Sequence, residues 1–160
     1  MRRASSTGCP GARLARDQAH HRGIQDRGIG RVTFLDTNVF IHFLGREHRL
    51  RDEARAQLQR LLQRGTHLAT SAAVLQELLH YYHRDQRVGD LDNAFALVES
   101  CVDEIWTVGK EDVETARNLV STHPGLEARD LVHLACCIRR QPRDLLTFDR
   151  ALAAAWQSQR

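Results

Sequence analysis

The chain has 160 residues, 42% hydrophobic and 27% charged. That is enough for one domain with a core, and no apolar run approaches the roughly 18 residues a membrane span needs. The formal charge of +3 is concentrated at the start, where six Arg against two Asp in residues 1–30 give +4 and leave −1 for the remainder. The overall basic balance therefore says little about the rest of the chain, and any positive charge that touches a polyanion is local and almost wholly arginine, since Lys110 is the only lysine. Cys9, Cys101, Cys136 and Cys137 have neither the Cys-x-x-Cys spacing of a zinc site nor the pattern of a disulfide framework. Such usage suits the reducing cytosol, with at least one of the adjacent Cys136 and Cys137 a small core residue.

Residues 1–30 are rich in Gly, Arg, Ser and Ala without hydrophobic periodicity, and no apolar h-region of a secretory signal is present. They read as a disordered basic extension, with Val32 a candidate translation start and residues 31–160 the domain. From Val32 onward, strand and helix patterns alternate. Val32–Leu35 predicts a buried strand, and Val39–Leu44 a helix that Gly45 ends. Leu50, Ala54, Leu58, Leu61 and Leu62 mark a second helix, stopped by Gly65. His67–Thr70 reads as the next strand, and Ser71 as the N-cap of a helix bearing Leu75, Leu78, Leu79 and Tyr82. Leu91, Phe95 and Val98 mark a helix before the strand Glu104–Val108. Val113, Ala116, Leu119 and Val120 follow at helical spacing until His123-Pro124-Gly125 breaks the chain. Helices Asp130–Arg139 and Arg150–Gln157 flank a last strand, Asp144–Thr147. The expected class is α/β, a three-layer α/β/α sandwich around a central, mostly parallel sheet.

Four acids stand at the ends of these elements. Asp36 closes the first strand, Asp149 follows the last, Asp130 opens a helix and Glu77 lies within one. Carboxyl ends of parallel strands border the crevice where open α/β sheets bind ligands. Each acid has a plain alternative, as a helix cap for Asp36, Asp130 and Asp149 or as a solvated residue for Glu77. Together they would repel one another, so the set makes most sense around a cation. Oxygen ligands without Cys favour Mg²⁺, or Mn²⁺, over Zn²⁺. His80 and His133, one turn after Glu77 and Asp130, read as packing or hydrogen-bonded residues, because paired carboxylate–His motifs of di-iron sites belong to four-helix bundles. Trp106 reads as core.

Phe34-Leu-Asp-Thr-Asn-Val-Phe40, Val74-Leu-Gln-Glu77, Ala128-Arg-Asp-Leu-Val-His-Leu-Ala135 and Leu146-Thr-Phe-Asp-Arg150 occur in the order found in PIN-domain nucleases. The chain resembles that family, and within it the VapC toxins of bacterial toxin–antitoxin pairs, from about Val32 to the C-terminus. The resemblance implies a metal-dependent ribonuclease that leaves 5′-phosphate and 3′-hydroxyl ends without a covalent enzyme intermediate. The catalytic acids are then Asp36, Glu77, Asp130 and Asp149. Asp36 and Asp149 are the expected direct metal ligands, with Glu77 and Asp130 acting directly or through water. Asn38 and Thr147 are expected to orient carboxylates or waters. Arg129 and Arg150 are candidates for RNA phosphate contact, and Arg46, Arg49, Arg51 and Arg55 for RNA or a partner chain. Expected partners are RNA, a small antitoxin placing an Arg or Lys near Asp36 and Asp149, and a second copy of the chain. The homodimer face is expected on helices bearing Leu50, Leu58, Leu91 and Phe95.

Two departures from the family pattern are Glu127, where a small polar residue is frequent, and Leu152, where an aromatic is frequent. Other readings use the same residues differently: a PIN nuclease of RNA maturation, or a non-catalytic PIN-like module kept for protein binding. A haloacid-dehalogenase-like phosphatase with Asp36 as nucleophile wants a second Asp where Asn38 stands.

Overall fold

The computed structural model describes residues 32–160; the expected extension and Cys9 lie outside the described residues. Strands β1 (Val32–Leu35), β2 (His67–Ser71), β3 (Glu104–Trp106) and β4 (Asp144–Leu146) form one sheet in the order β3-β2-β1-β4. All three pairings are parallel, with Phe34 opposite both Ala69 and Leu145, and Ala69 opposite Glu104. Seven helices accompany them among the described residues. They are α1 (Thr37–Leu44), α2 (Arg49–Gln63), α3 (Ala72–Arg84), α4 (Val88–Cys101), α5 (Lys110–Leu119), α6 (Ala128–Arg140) and α7 (Arg150–Ser158). The expected α/β/α sandwich is the fold, and no described helix is long and apolar enough to cross a membrane.

Parallel strands need crossovers, so each strand end is followed by a helix and the chain re-enters the sheet from the same side. That geometry puts the ends of β1, β2, β3 and β4, with the starts of their following helices, at one rim. β1 is central and covered on both faces, which is why its short run Val-Thr-Phe-Leu is apolar almost throughout. Phe34, Leu68, Ala69, Val74, Leu78, Leu134, Leu152 and Trp156 belong to one core cluster. Cys101, Cys136 and Cys137 are buried, the last two at 0% exposure, and are small packing residues here.

Several local expectations are corrected. Gly45 ends α1 without a left-handed backbone, since its φ is −61°; a Cβ there would stand 3.1 Å from the Ile41 carbonyl oxygen. Gly65 does take the left-handed conformation, at φ +63°. Ser71 occupies the N-cap position of α3, but its side chain makes no cap hydrogen bond and its hydroxyl is buried without a partner. β3 stops at Trp106, two residues short of the expected end, where Arg140 donates to the Thr107 carbonyl. Leu58 is 1% exposed inside the core and cannot serve a dimer face, while Leu91 and Phe95 are half-buried against the same core.

A charged clamp joins α5 to α6. Asp112, 1% exposed, accepts from the Gly109 backbone N–H at 2.9 Å and from Arg139 and Arg140 at 2.8 Å each. The Arg140 guanidinium also lies over the Trp106 ring, 5.3 Å from its centroid. Trp106 in turn stacks on Phe34 at 5.2 Å between ring centroids. The clamp therefore ties α6, which carries Asp130 and His133, to the central strand.

Candidate active site

Asp36 sits where β1 hands over to α1, 3% exposed, and caps that helix by accepting from the Thr37 N–H at 2.7 Å on Oδ1. Its backbone N–H donates to the Leu146 carbonyl at 3.1 Å, which fixes it to the end of β4. Oδ2 accepts from Asn38 Nδ2 and from Thr147 Oγ1, both at 2.6 Å. Asn38 also donates to Thr147 Oγ1 at 3.0 Å, and its own Oδ1 accepts from the Phe148 N–H at 3.0 Å. The Thr147 hydroxyl accepts from the Asp149 N–H at 3.0 Å as well. Asn38 and Thr147 thus stitch the β1 and β4 ends together around one carboxylate.

Asp149 is the N-cap of α7, with Oδ1 accepting from the Leu152 N–H at 2.8 Å. Asp130 stands in the first turn of α6, where Oδ2 accepts from the Glu127 N–H at 3.2 Å. The capping alternatives for Asp36, Asp130 and Asp149 are therefore real, and each is compatible with a site because the cap leaves Asp130 and Asp149 a second oxygen.

Glu77 is not a solvated residue. Its Oε2 accepts from Thr37 Oγ1 at 2.6 Å and lies 3.1 Å from His133 Nε2, and its Oε1 pairs with Arg129 at 3.1 Å. Arg129 also reaches Glu127 at 3.4 Å, so the extra acid of this approach is answered by the adjacent arginine. Arg150 is exposed at the first residue of α7, and His80 is exposed on α3. His133, by contrast, is 1% exposed and also stands 3.8 Å from Asp36 Oδ1. Thr37 and His133 are the two residues of this network that the sequence did not assign to it. The only signal was position, since one follows Asp36 and the other sits one turn beyond Asp130.

The electrostatics are those of crowded acids. Burial pushes the Asp36 carboxyl above its ordinary value, against the pull of His133 and of the Thr147 and Thr37 hydrogen bonds. Asp130 is also raised, first by burial and then by the charges of Asp149 and Asp36, with the Glu127 N–H opposing. Burial acts on Glu77 in the same sense, but hydrogen bonds from His133 and Thr37, with the charge of Arg129, hold it below its ordinary value. Asp130 thus feels the charges of both Asp149 and Asp36. Among the described residues no three His, Cys, Asp or Glu side chains converge as a ready-made ligand set. The donor chemistry still fits a hard divalent cation: carboxylate oxygens are offered, and the charges of Asp149 and Asp36 both bear on Asp130. Asp36, Asp130 and Asp149, with Glu77, are the residues that would hold it.

The PIN domain family matches residues 33–155. The chain is 49% identical over 127 residues to Ribonuclease VapC23 of Mycobacterium tuberculosis, covering 79% of this chain and 100% of that protein. The fold resembles that of Mycobacterium tuberculosis VapC20, described as a Sarcin-Ricin loop cleaving toxin. The TM-score is 0.64 at 21% identity, over 77% of this chain and 94% of that one. It also resembles VapBC2 from Rickettsia felis, solved bound to a DNA fragment from their promoter. Here the TM-score is 0.58 at 16% identity, over 74% of this chain and 87% of that one. With the fold, the four motifs and these relatives in agreement, the chain belongs to the PIN-domain family, among the VapC ribonucleases.

Proposed function

We propose that the chain is a Mg²⁺-dependent ribonuclease toxin, checked by a cognate antitoxin, with residues 31–160 as the nuclease domain. What supports this reading is that Asp36 and Asp149, beside the ends of β1 and β4, lie near enough to Asp130 for their charges to act on it. Mn²⁺ serves in place of Mg²⁺ on the same oxygen ligands. The bound cation supplies charge stabilisation at the phosphate and a more acidic water.

The protein's own groups do the remaining work. Asn38, Thr147 and the Thr37 N–H keep Asp36 in one orientation, so no carboxylate reorganisation is needed when RNA arrives. Asp130 and Asp149 hold their helix starts with one oxygen each. Arg129, half exposed beside Glu77, meets a backbone phosphate as the substrate enters, and Arg150 flanks the other side of the crevice. Because the described part is not strongly basic, such contacts are few and RNA affinity falls only modestly with salt.

The antitoxin places an Arg or Lys against Asp36 and Asp149, pairing the charges that otherwise attract the cation. The chain acts in the cytoplasm, where RNA is met, and assembles as a homodimer through half-buried apolar helix faces that exclude Leu58. The test is induced expression of the full chain in bacteria, with and without the adjacent small reading frame. Growth arrest that requires Asp36 and is relieved by the neighbour is expected. Unimpaired growth from soluble chain that still cuts RNA in vitro would replace the toxin role with RNA maturation.

A further inference from the structure

His133 lies on the second turn of α6, 1% exposed, and burying an imidazole is unfavourable unless its polar atoms find partners. Its Nδ1 is buried and has no hydrogen-bond partner. Its Nε2 lies 3.1 Å from Glu77 Oε2 and 3.8 Å from Asp36 Oδ1. The whole polar return on this side chain is therefore at the two carboxylates, and a residue kept only for packing beside Phe34, 6.2 Å away between centroids, would be apolar. An Nε2 lone pair facing carboxylate oxygens would repel them, so Nε2 carries the proton and donates to Glu77.

From this geometry we infer that His133 is a positioning residue, acting through Glu77 on cation binding. Thr37 and His133 together saturate Oε2 of Glu77, from β1's following helix and from α6. The carboxylate cannot rotate freely, and Oε1 is the oxygen left to exchange. In this structure Oε1 pairs with Arg129, whose side chain is 49% exposed and free to swing away. His133 thus presents Oε1 to the crevice, where a cation or its water replaces the guanidinium, while the Nε2–H also eases the crowding of Glu77 against Asp36. The inference rests on the metal-nuclease reading and gives a role to a residue outside the acidic set.

The experiment measures Mn²⁺ binding to the full chain by calorimetry, for wild type, His133→Leu, His133→Gln, Glu77→Gln and the His133→Leu/Glu77→Gln double variant. His133→Leu fills the space without the donor and is expected to weaken Mn²⁺ binding by about 10–100-fold, as loss of a ligand-orienting hydrogen bond does. His133→Gln restores a donor near Nε2 and is expected to recover affinity to within a few-fold. In the Glu77→Gln background His133→Leu should add less than about twofold, since its effect passes through Glu77. Wild-type affinity in His133→Leu, or an undiminished loss in the Glu77→Gln background, overturns the positioning role. Should His133→Leu not fold, long-range proton–nitrogen spectra of ¹⁵N-imidazole-labelled wild type decide instead. An Nε2-bound proton whose shift moves in Glu77→Gln is expected; a proton on Nδ1 alone overturns the inference. Failure of the wild type to bind Mn²⁺ overturns the metal-nuclease reading itself, a different outcome from unchanged binding in the variant.

Discussion

Asp36→Asn is expected to reduce RNA hydrolysis by on the order of 10³-fold, corresponding to about 4 kcal/mol of lost charge stabilisation at the reacting phosphate. The substitution keeps the shape of the side chain and leaves α1 a capping oxygen. It also removes the only one of the four acids that is held at once by Asn38, Thr147 and the Thr37 N–H. One donor then faces the new amide N–H₂, but the unfavourable burial of a charge disappears, so folding stability should change by no more than about 1 kcal/mol. The same pair of effects sets the pH dependence. Asp36 and Asp130 are raised in the folded chain, first by burial. Their protonated forms are therefore favoured by folding, a contribution present below the ordinary carboxylate value and lost as pH rises through the raised one. The metal-free chain must lose these protons before its acids can hold a cation, so activity at limiting Mg²⁺ should fall on acidification above the pH at which an exposed aspartate would titrate. Rate profiles of wild type and thermal melts of Asp36→Asn check both halves. A variant that cuts RNA at the wild-type rate removes Asp36 from the chemistry.

Asp112→Ala is expected to cost about 2–4 kcal/mol of folding stability. The carboxylate is buried, and burial alone would raise its pKa. Hydrogen bonds from Arg140, the Gly109 N–H and Arg139 prevail and hold it at about 2. A depressed folded value means stability fully present above the ordinary aspartate range and lost as pH falls toward about 2. Removal also strands Arg140, which is partly buried against Trp106. For a domain of this size the melting temperature should fall by about 10 °C at neutral pH, with the difference from wild type shrinking in acid. A shift under about 2 °C would mean that Arg139 and Arg140 find other partners without loss. Because α6 carries Asp130 and His133, some activity should fall too, though far less than with Asp36→Asn.

The elements with strong periodicity were legible in the sequence. β1 falls at Val32–Leu35 as expected, and α2 and α7 agree to within a residue or two. Asp36 and Thr147 each follow directly on a strand end and Asn38 stands three residues past one, so their nearness was legible from the strand assignments. What escaped depends on pairs far apart in the chain. Glu77 meets Thr37 across 40 residues and His133 across 56, and no local pattern encodes either contact. His133 carried a bland reading because an imidazole on an apolar helix face looks like core until its neighbours are known. Leu58 failed as a dimer residue for the converse reason: helical spacing identifies an apolar face but not what covers it. Ser71 shows that a favourable cap residue can hold the cap position without making the bond.

Mapping the ends of RNA cut by the purified full chain tests the central claim most directly. Reactions run side by side with Mg²⁺, with EDTA, and with Asp36→Asn in Mg²⁺. Cleavage is expected only from wild type with Mg²⁺, leaving 5′-phosphate and 3′-hydroxyl ends. Equal cleavage in EDTA, or 2′,3′-cyclic phosphate ends, would contradict a metal-dependent hydrolysis at this acidic rim.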